Sequence, residues 1–184
     1  FPEAMEFLAE QAGVTISKSE LSPEMKREKN LRTELVQINA KAASYYYAKL
    51  KSPAGKTGYE YFLSRGLSEE TIRHFGLGYA DIYNDDLYRF LKSKGYSDED
   101  LKDSALVTID ERRGGSDKFW NRVMFPIMDV NNRVIGFGGR VMGDGKPKYL
   151  NSPETIIFNK RRNLFAMNVV KKSKREFIIL TEGY

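Results

Sequence analysis

The hydrophobic pattern of the first half of the chain is helical. Apolar residues recur at every third or fourth position over residues 1–13, and Gly13 ends that pattern. The segment Ser22-Pro23-Glu24 is typical of a helix start, and a long amphipathic stretch follows it. Four shorter helices are predicted further on, most of them bounded by Ser or Gly. The apolar stripe of the long helix is Leu31, Leu35, Ile38, Ala42 and Tyr45 or Tyr46, and the shorter helices cover 58–65, 68–75, 86–94 and 97–103.

The period of the pattern changes after residue 105. The run Leu106–Ile109 predicts a strand, and the glycine-containing residues 113–116 predict a turn after it. Two apolar runs, 123–130 and 133–141, are separated by two asparagines, which predicts a β-hairpin. Pro126 lies inside the first run and cannot donate a backbone hydrogen bond, so it predicts an edge strand or a bulge.

The last part of the chain carries one helical pattern and one strand pattern. Residues 158–171 are predicted to be helical. The run Phe177–Leu180 is apolar at every position, which predicts a strand buried in a parallel sheet. The order of elements predicts an α+β fold: a helical N-terminal part, a small mixed sheet with helices, and then the first strand of a further α/β module.

The charge of the chain is unevenly distributed. The 184 residues carry a net charge of +5. Residues 112–175 hold 15 Lys and Arg against four Asp and Glu, a net charge of +11, whereas the rest of the chain is net acidic at −6. A separation of this size concerns binding partners, because no fold requires it. The basic part is either a solvated face or a surface for nucleic acid or polyphosphate.

The composition excludes several kinds of site. The chain has no Cys, so these residues contain neither a disulfide nor a thiolate zinc site. Its one histidine, His74, argues against a histidine metal cluster and against a Ser-His-Asp triad. No run approaches 18 consecutive apolar residues, which argues against a transmembrane helix. Since no leader precedes the first helix pattern, we expect a cytoplasmic fragment of a longer protein.

The glycines of 136–145 do not form a phosphate-binding loop. The run Gly136–Arg140 begins like a dinucleotide fingerprint, but Val141 stands where the third glycine belongs, inside a predicted strand. The pair Gly145-Lys146 lacks the earlier glycine of a Walker loop and is followed by Pro147. These glycines are expected to allow a close approach of the backbone or a bulge.

Aromatic residues are interleaved with the cations of the basic part. The segments Lys118–Arg122 and Lys146–Tyr149 both place rings beside positive charges. This combination is typical of proteins that grip single-stranded nucleic acid, because cations follow the phosphates while rings stack on the bases. The alternative is that Phe119 and Trp120 are core residues.

A single carboxylate stands out near the end of the chain. Glu182 follows the predicted strand Phe177–Leu180, and sites in α/β sheets lie at the carboxyl ends of strands. A carboxylate there can bind Mg²⁺ or transfer a proton, whereas a role in a turn is the ordinary alternative.

Three motifs in close succession resemble those of bacterial replicative DNA primases of the DnaG type. They are Arg122–Ile127, Val134–Arg140 and Pro147–Thr155. Upstream, Arg65–Ser68 and Phe75–Tyr79 are also similar to that family. Residues 1–13 resemble the segment after its zinc-binding domain, and residues 182–184 resemble the start of its Toprim module, so the resemblance covers essentially the whole chain.

The resemblance implies the template-binding part of an RNA polymerase that copies single-stranded DNA into short RNA primers from ribonucleoside triphosphates. By position in the motifs, it implies template contacts for Arg65, Arg122, Arg140, Lys148 and Tyr149. It implies a catalytic, metal-binding role for Glu182, with Mg²⁺ or Mn²⁺ as the ion. The alternative is a non-catalytic module that binds single-stranded nucleic acid.

The resemblance also implies a division of the chain and of the longer protein. Residues 1–21 correspond to a linker helix, 22–105 to the helical part of the core, 106–175 to the basic α/β part and 176–184 to the start of the Toprim module. Zn²⁺ is expected in a separate N-terminal domain, and a replicative helicase is expected to bind a C-terminal domain. Because most of the metal site would lie outside these residues, we expect no primer synthesis by this chain alone.

Overall fold

A computed structural model describes residues 8, 9, 11, 12, 22–110 and 112–182. The chain divides into two units, residues 1–31 and residues 32–184. Of the helix predicted over residues 1–13, Leu8, Ala9 and Gln11 are helical, and the backbone N–H of Ala12 donates to the carbonyl of Leu8 at 3.0 Å. The rest of that prediction lies outside the described residues.

The predicted long helix is present as α1, Pro23–Lys51. Ser22 begins it as predicted, since its hydroxyl accepts the backbone N–H of Met25 at 3.2 Å. The buried side of α1 follows the predicted stripe closely, whereas Leu31 and Tyr45 are only half-buried. The buried residues are Leu35, Ile38, Asn39, Ala42, Tyr46 and Leu50.

The four shorter helices confirm the predictions made from Ser and Gly. A 3₁₀ turn over Pro53–Gly55 precedes α2. The hydroxyl of Ser68 accepts the N–H of Thr71 at 3.1 Å at the start of α3, and Ser97 forms a capping box with Asp100 at the start of α5. The bounds are Lys56–Ser64 for α2, Glu69–His74 for α3, Asp86–Ser93 for α4 and Asp98–Asp103 for α5.

The described strands form two sheets, and all neighbouring strands in them are antiparallel. The sequence analysis expected a mixed sheet, but no parallel pair occurs among the described strands. The larger sheet has the order β1-β4-β5-β6, and the smaller one pairs β2 with β3. The hairpin predicted from the two apolar runs is β4 and β5. The bounds are Gly78–Ala80 for β1, Val107–Asp110 for β2, Gly114–Asp117 for β3, Arg122–Met128 for β4, Val134–Val141 for β5 and Tyr149–Asn151 for β6.

Strand β1 joins the two parts of the chain that the charge pattern separates. It follows α3 in the acidic part, yet it pairs with β4 in the basic part, with Gly78 opposite Met124 and Ala80 opposite Arg122. The region expected to be a turn, 113–116, is strand from Gly114 onward. The larger sheet therefore contains one strand from the acidic part and three strands from the basic part.

Pro126 lies in an internal strand but beyond the residues that β1 reaches. Strand β1 pairs with β4 only as far as Met124, so at Pro126 the strand has β5 alone beside it. An irregularity in register follows at Ile127 and Met128. The proline is tolerated there because no ladder hydrogen bond toward β1 is required of it.

Two predictions near the end of the chain are wrong for the described residues. The helix expected over 158–171 is reduced to α6, Met167–Val170. Upstream of it, the side chains of Asn159 and Asn163 hydrogen-bond to nearby backbone groups and so compete with a helix. Residues 177–180 are not a strand, and their side chains are exposed. A parallel strand needs neighbouring strands, and none of the described strands pairs with this segment.

Different helices pack on the two faces of the larger sheet. The rings of Tyr46 in α1 and Phe137 in β5 meet edge to face, with centroids 5.5 Å apart. Phe62 in α2 meets Phe125 in β4 in the same way at 5.8 Å. Phe137 is paired with Pro126, the residue after Phe125, so the two ring contacts lie on opposite faces.

Asp117 ties the smaller sheet to α4. Its carboxylate is buried and accepts the backbone N–H groups of Leu87 and Tyr88, both at 2.8 Å, in the first turn of that helix. Burial raises the pKa of Asp117 to about 6, although both backbone hydrogen bonds oppose the shift.

We expect Asp117→Ala to lower the free energy of unfolding by about 1–3 kcal/mol at pH 7, because two buried N–H groups lose their acceptor. Since the folded pKa exceeds the unfolded value, the contribution of Asp117 is fully present below about pH 4 and declines as the pH rises through about 6. Urea unfolding of both proteins should give a larger difference at pH 4.5 than at pH 7.5. The exposed Asp103→Ala is the control, and equal effects of the two substitutions would contradict the assignment.

Candidate nucleic-acid interface

Arg140 lies near the end of β5, between two neighbouring strands. It pairs with Val123 of β4 and with Tyr149 of β6, which places the three side chains on one face of the sheet. Its guanidinium carbon lies 4.6 Å from the ring centroid of Tyr61 in α2. One of its Nη atoms donates to the carbonyl of Val141 at 3.3 Å. Arg140 is therefore held at a defined place while remaining partly accessible.

Tyr149 is the pairing partner of Arg140, and Lys148 directly precedes Tyr149 in the chain. The side chains of Lys148 and Tyr149 are exposed, and the Nζ of Lys148 lies 5.9 Å from the ring centroid of Tyr149. The carbonyl of Lys148 accepts the N–H of Val141 at 3.0 Å, which fixes the segment against the end of β5. The structure thus brings together Arg140 and Tyr149, and Lys148 contacts the ring of Tyr149.

Arg65 lies at the end of α2, one helical turn after Tyr61. Its backbone N–H donates to the carbonyl of Tyr61 at 3.1 Å, and its side chain is exposed. The Tyr61 ring contacts Arg140 in β5, so the end of α2, where Arg65 lies, packs next to the larger sheet. We name this set of residues the Arg140 surface: Tyr61, Arg65, Arg140, Lys148 and Tyr149.

Arg122 does not belong to the Arg140 surface. It pairs with Val141, the residue after Arg140, so its side chain lies on the opposite face. It is 5% exposed, and it donates to the carbonyl of Gly139 at 3.4 Å. Burial lowers the pKa of Arg122. The burial of Arg122 fits a structural role. Arg122 is therefore not an exposed candidate for a template contact.

Gly139 shows why the glycine-rich motif belongs to the core. A Cβ atom at this position would lie 3.0 Å from the ring of Phe119 and 3.1 Å from Cδ of Arg122. The close approach expected from the sequence is therefore present. Of the two aromatic residues whose burial the sequence left open, Phe119 is fully buried whereas Trp120 is 49% exposed.

Within residues 22–110 and 112–182, the side chains around Glu182 do not make a divalent-metal site. Its side chain is exposed at the end of the segment that was expected to be a strand. Among the residues that the structure describes, no three His, Cys, Asp or Glu side chains are grouped so that they could hold a metal ion. A single carboxylate falls short of the several oxygen ligands that Mg²⁺ or Mn²⁺ requires, so we derive no chemical step through a metal here.

The described helices also bear on the question of a membrane. None of those within residues 22–110 and 112–182 is both long and apolar enough to span a bilayer.

The fold and the Arg140 surface define an α+β domain in which Arg140 and Tyr149 share one face of an antiparallel sheet and the Tyr61 ring contacts Arg140. The family model described as the DNA primase catalytic core, N-terminal domain, matches residues 45–171. The chain belongs to this family.

Curated relatives match the chain over its whole length. It is 42% identical over 185 residues to a DNA primase of Clostridium acetobutylicum and 38% identical over 189 residues to one of Streptomyces coelicolor. In both cases all of this chain is covered, but only 30% and 29% of the relative. The chain thus spans less than a third of the length of these relatives.

Solved structures of primase cores resemble the fold. A DnaG primase catalytic domain bound to ssDNA has a TM-score of 0.72 and 38% identity, and the match covers 78% of this chain and 46% of that one. The RNA polymerase domain of Mycobacterium tuberculosis primase DnaG, in complex with a double-stranded DNA oligomer with a 6-nucleotide overhang, has a TM-score of 0.72 and 31% identity, covering 76% and 44%. An Aquifex aeolicus primase containing zinc-binding and RNA polymerase domains has a TM-score of 0.65 and 30% identity, covering 90% and 38%.

Proposed function

We propose that this chain is the template-binding part of a DNA primase that synthesises short RNA primers on single-stranded DNA. The observation that carries the proposal is the pairing of Arg140 in β5 with the exposed Tyr149 in β6, which Lys148 directly precedes, in a domain of this family. One similar solved structure is a primase catalytic domain bound to ssDNA, which supports the same class of ligand.

The chemistry of the Arg140 surface suits an unpaired strand. Arg65, Arg140 and Lys148 supply positive charges for phosphates, and the exposed ring of Tyr149 supplies a flat apolar face for a base. A base within a duplex has both of its faces covered by its neighbours, so stacking on Tyr149 requires a single-stranded segment. Glu182 is kept as a proposed catalytic and metal-binding residue of the whole protein.

We expect Lys148→Ala to weaken binding of a single-stranded oligonucleotide by about 3- to 10-fold, because one phosphate contact is lost. The slope of log affinity against log salt should become less steep by about 0.7. Fluorescence anisotropy measures both quantities. Lys102→Ala, which removes an equally exposed charge from α5, is the control and should change neither.

Equal losses with Lys148→Ala and Lys102→Ala would mean that binding follows overall charge and not the Arg140 surface. Binding with no primase activity in the longer protein would favour the alternative, a non-catalytic single-stranded nucleic-acid-binding module.

The finer parts of the proposal concern the longer protein. We assign it ribonucleoside triphosphates as substrates, an RNA primer as product, Mg²⁺ or Mn²⁺ at a Toprim module, Zn²⁺ in an N-terminal domain, a replicative helicase as partner and a cytoplasmic location. The chain of 184 residues has no Cys for a zinc-binding domain. We expect the isolated chain to make no primers, and primer formation by it in a Mg²⁺ or Mn²⁺ assay would contradict this.

A further inference from the structure

Tyr61 occupies a position that the sequence motifs do not single out. The centroid of its ring lies 4.6 Å from the guanidinium carbon of Arg140, although the two residues are 79 positions apart in the chain. A distance of 4.6 Å is typical of a cation–π contact, which here joins a helix to a strand.

The ring of Tyr61 is itself fixed by the core. Tyr61 is half-buried and lies next to the fully buried Phe62. Phe62 belongs to a cluster of buried hydrophobic residues, and Tyr61 packs against this cluster. This packing limits the movement of the Tyr61 ring, so the ring can support the Arg140 side chain. The other members of the cluster are Leu50, Ile72, Leu77, Tyr79 and Val123.

An arginine side chain that is held in advance binds more tightly than a mobile one. Arg has several freely rotating bonds, and ordering them upon binding opposes association. A contact with the π face of Tyr61 consumes no hydrogen-bond donor of the guanidinium, so its N–H groups can donate to the oxygens of a phosphate. The bond from Arg140 to the carbonyl of Val141 uses only one of these donors.

We infer that Tyr61 is a positioning residue for nucleic-acid binding: its ring holds the Arg140 guanidinium in the orientation that receives a phosphate of the single-stranded template. This inference rests on the proposed function for the identity of the ligand. The contact itself belongs to the free protein and can be measured without DNA.

The test compares Tyr61→Leu with Tyr61→Phe by anisotropy with a single-stranded oligonucleotide. Tyr61→Leu should bind about 3- to 10-fold more weakly, whereas Tyr61→Phe, which keeps the ring, should bind within about 2-fold of the original chain. In an Arg140→Ala background, Tyr61→Leu should add less than about 2-fold. Equal affinities of Tyr61→Leu and the original chain, or equal losses in Tyr61→Leu and Tyr61→Phe, would overturn the inference.

An NMR measurement on the free chain separates this inference from the proposed function. The ring current of Tyr61 should shift the side-chain protons of Arg140 upfield, and Tyr61→Phe should preserve that shift. If the original chain shows no upfield shift, the positioning role is wrong even if DNA binds. If the shift is present but no single-stranded DNA binds, the proposed function fails and this inference fails with it. If Tyr61→Leu does not fold, Tyr61→Met replaces it in the binding test. The NMR shift of the original chain tests the contact independently of either variant.

Discussion

Replacing Arg140 with Ala is expected to weaken the binding of single-stranded DNA by about 10- to 100-fold, the largest loss for any one residue of the Arg140 surface. Arg140 lies in β5 between β4 and β6 and pairs with Tyr149, so its loss removes the cation that shares a face of the sheet with this exposed ring. Hydrogen bonds from a charged donor to phosphate contribute more than neutral ones do, which is why this effect should exceed that of Lys148→Ala.

Anisotropy titrations of the purified Arg140→Ala chain give this value directly. Arg89→Ala is the matched control, because it removes the same charge from an exposed position on α4. Its affinity should stay within about 2-fold of the original chain. Unfolding curves of the two variants must coincide with that of the original chain for the comparison to hold. Equal losses in both variants would assign binding to net charge and would contradict a localised interface.

Gly78→Val is expected to lower the free energy of unfolding by about 2–4 kcal/mol, a larger effect than that of Asp117→Ala. Strand β1 runs directly against α1 at this point. A Cβ atom on residue 78 would lie 2.6 Å from Cβ and 2.9 Å from the carbonyl carbon of Tyr46. Neither neighbour is the free end of a flexible side chain, so the strand and the helix would have to separate.

Urea unfolding followed by circular dichroism measures the loss in Gly78→Val. Ala54→Val in the 3₁₀ turn is the control, since this exposed position accepts a larger side chain and should change stability by less than about 1 kcal/mol. A midpoint for Gly78→Val equal to that of the original chain would show that β1 does not pack against α1 as described.

The sequence predicted those elements whose signals are local. Ser22, Ser68 and Ser97 each accept a backbone N–H at the start of a helix, and this interaction requires only residues three positions apart. The hairpin β4–β5 follows equally from two adjacent apolar runs. Strands β1 and β6 were missed because three residues are too few to show an alternation, and both exist only because the hairpin offers them a partner.

Predictions failed where the pattern matched but the context differed. The apolar spacing of 158–171 is compatible with a helix, yet asparagine side chains satisfy the backbone locally and Ala166 adopts a left-handed conformation. The run Phe177–Leu180 has the composition of a buried strand, but pairing depends on strands that the described residues do not supply. Composition reveals neither the local hydrogen bonds of the asparagine side chains nor which strands are available as partners.

The candidate site was predictable in part. The motifs indicated both Arg122 and Arg140, since each is an arginine in a strand of the hairpin. Their roles diverge through the alternation of side chains across a sheet, which depends on the register of the pairing. No sequence signal indicated Tyr61, because its relation to Arg140 arises only when α2 packs against β5.

The most direct test of the account is the salt dependence of binding by the unmodified chain. A fluorescent single-stranded oligonucleotide and a duplex of equal length are titrated at several salt concentrations. We predict tighter binding of the single strand, with a slope of log affinity against log salt of about −2, as expected for three phosphate contacts at about −0.7 each. No binding, or equal affinity for the two forms with a slope near zero, would contradict a template-binding surface at Arg140.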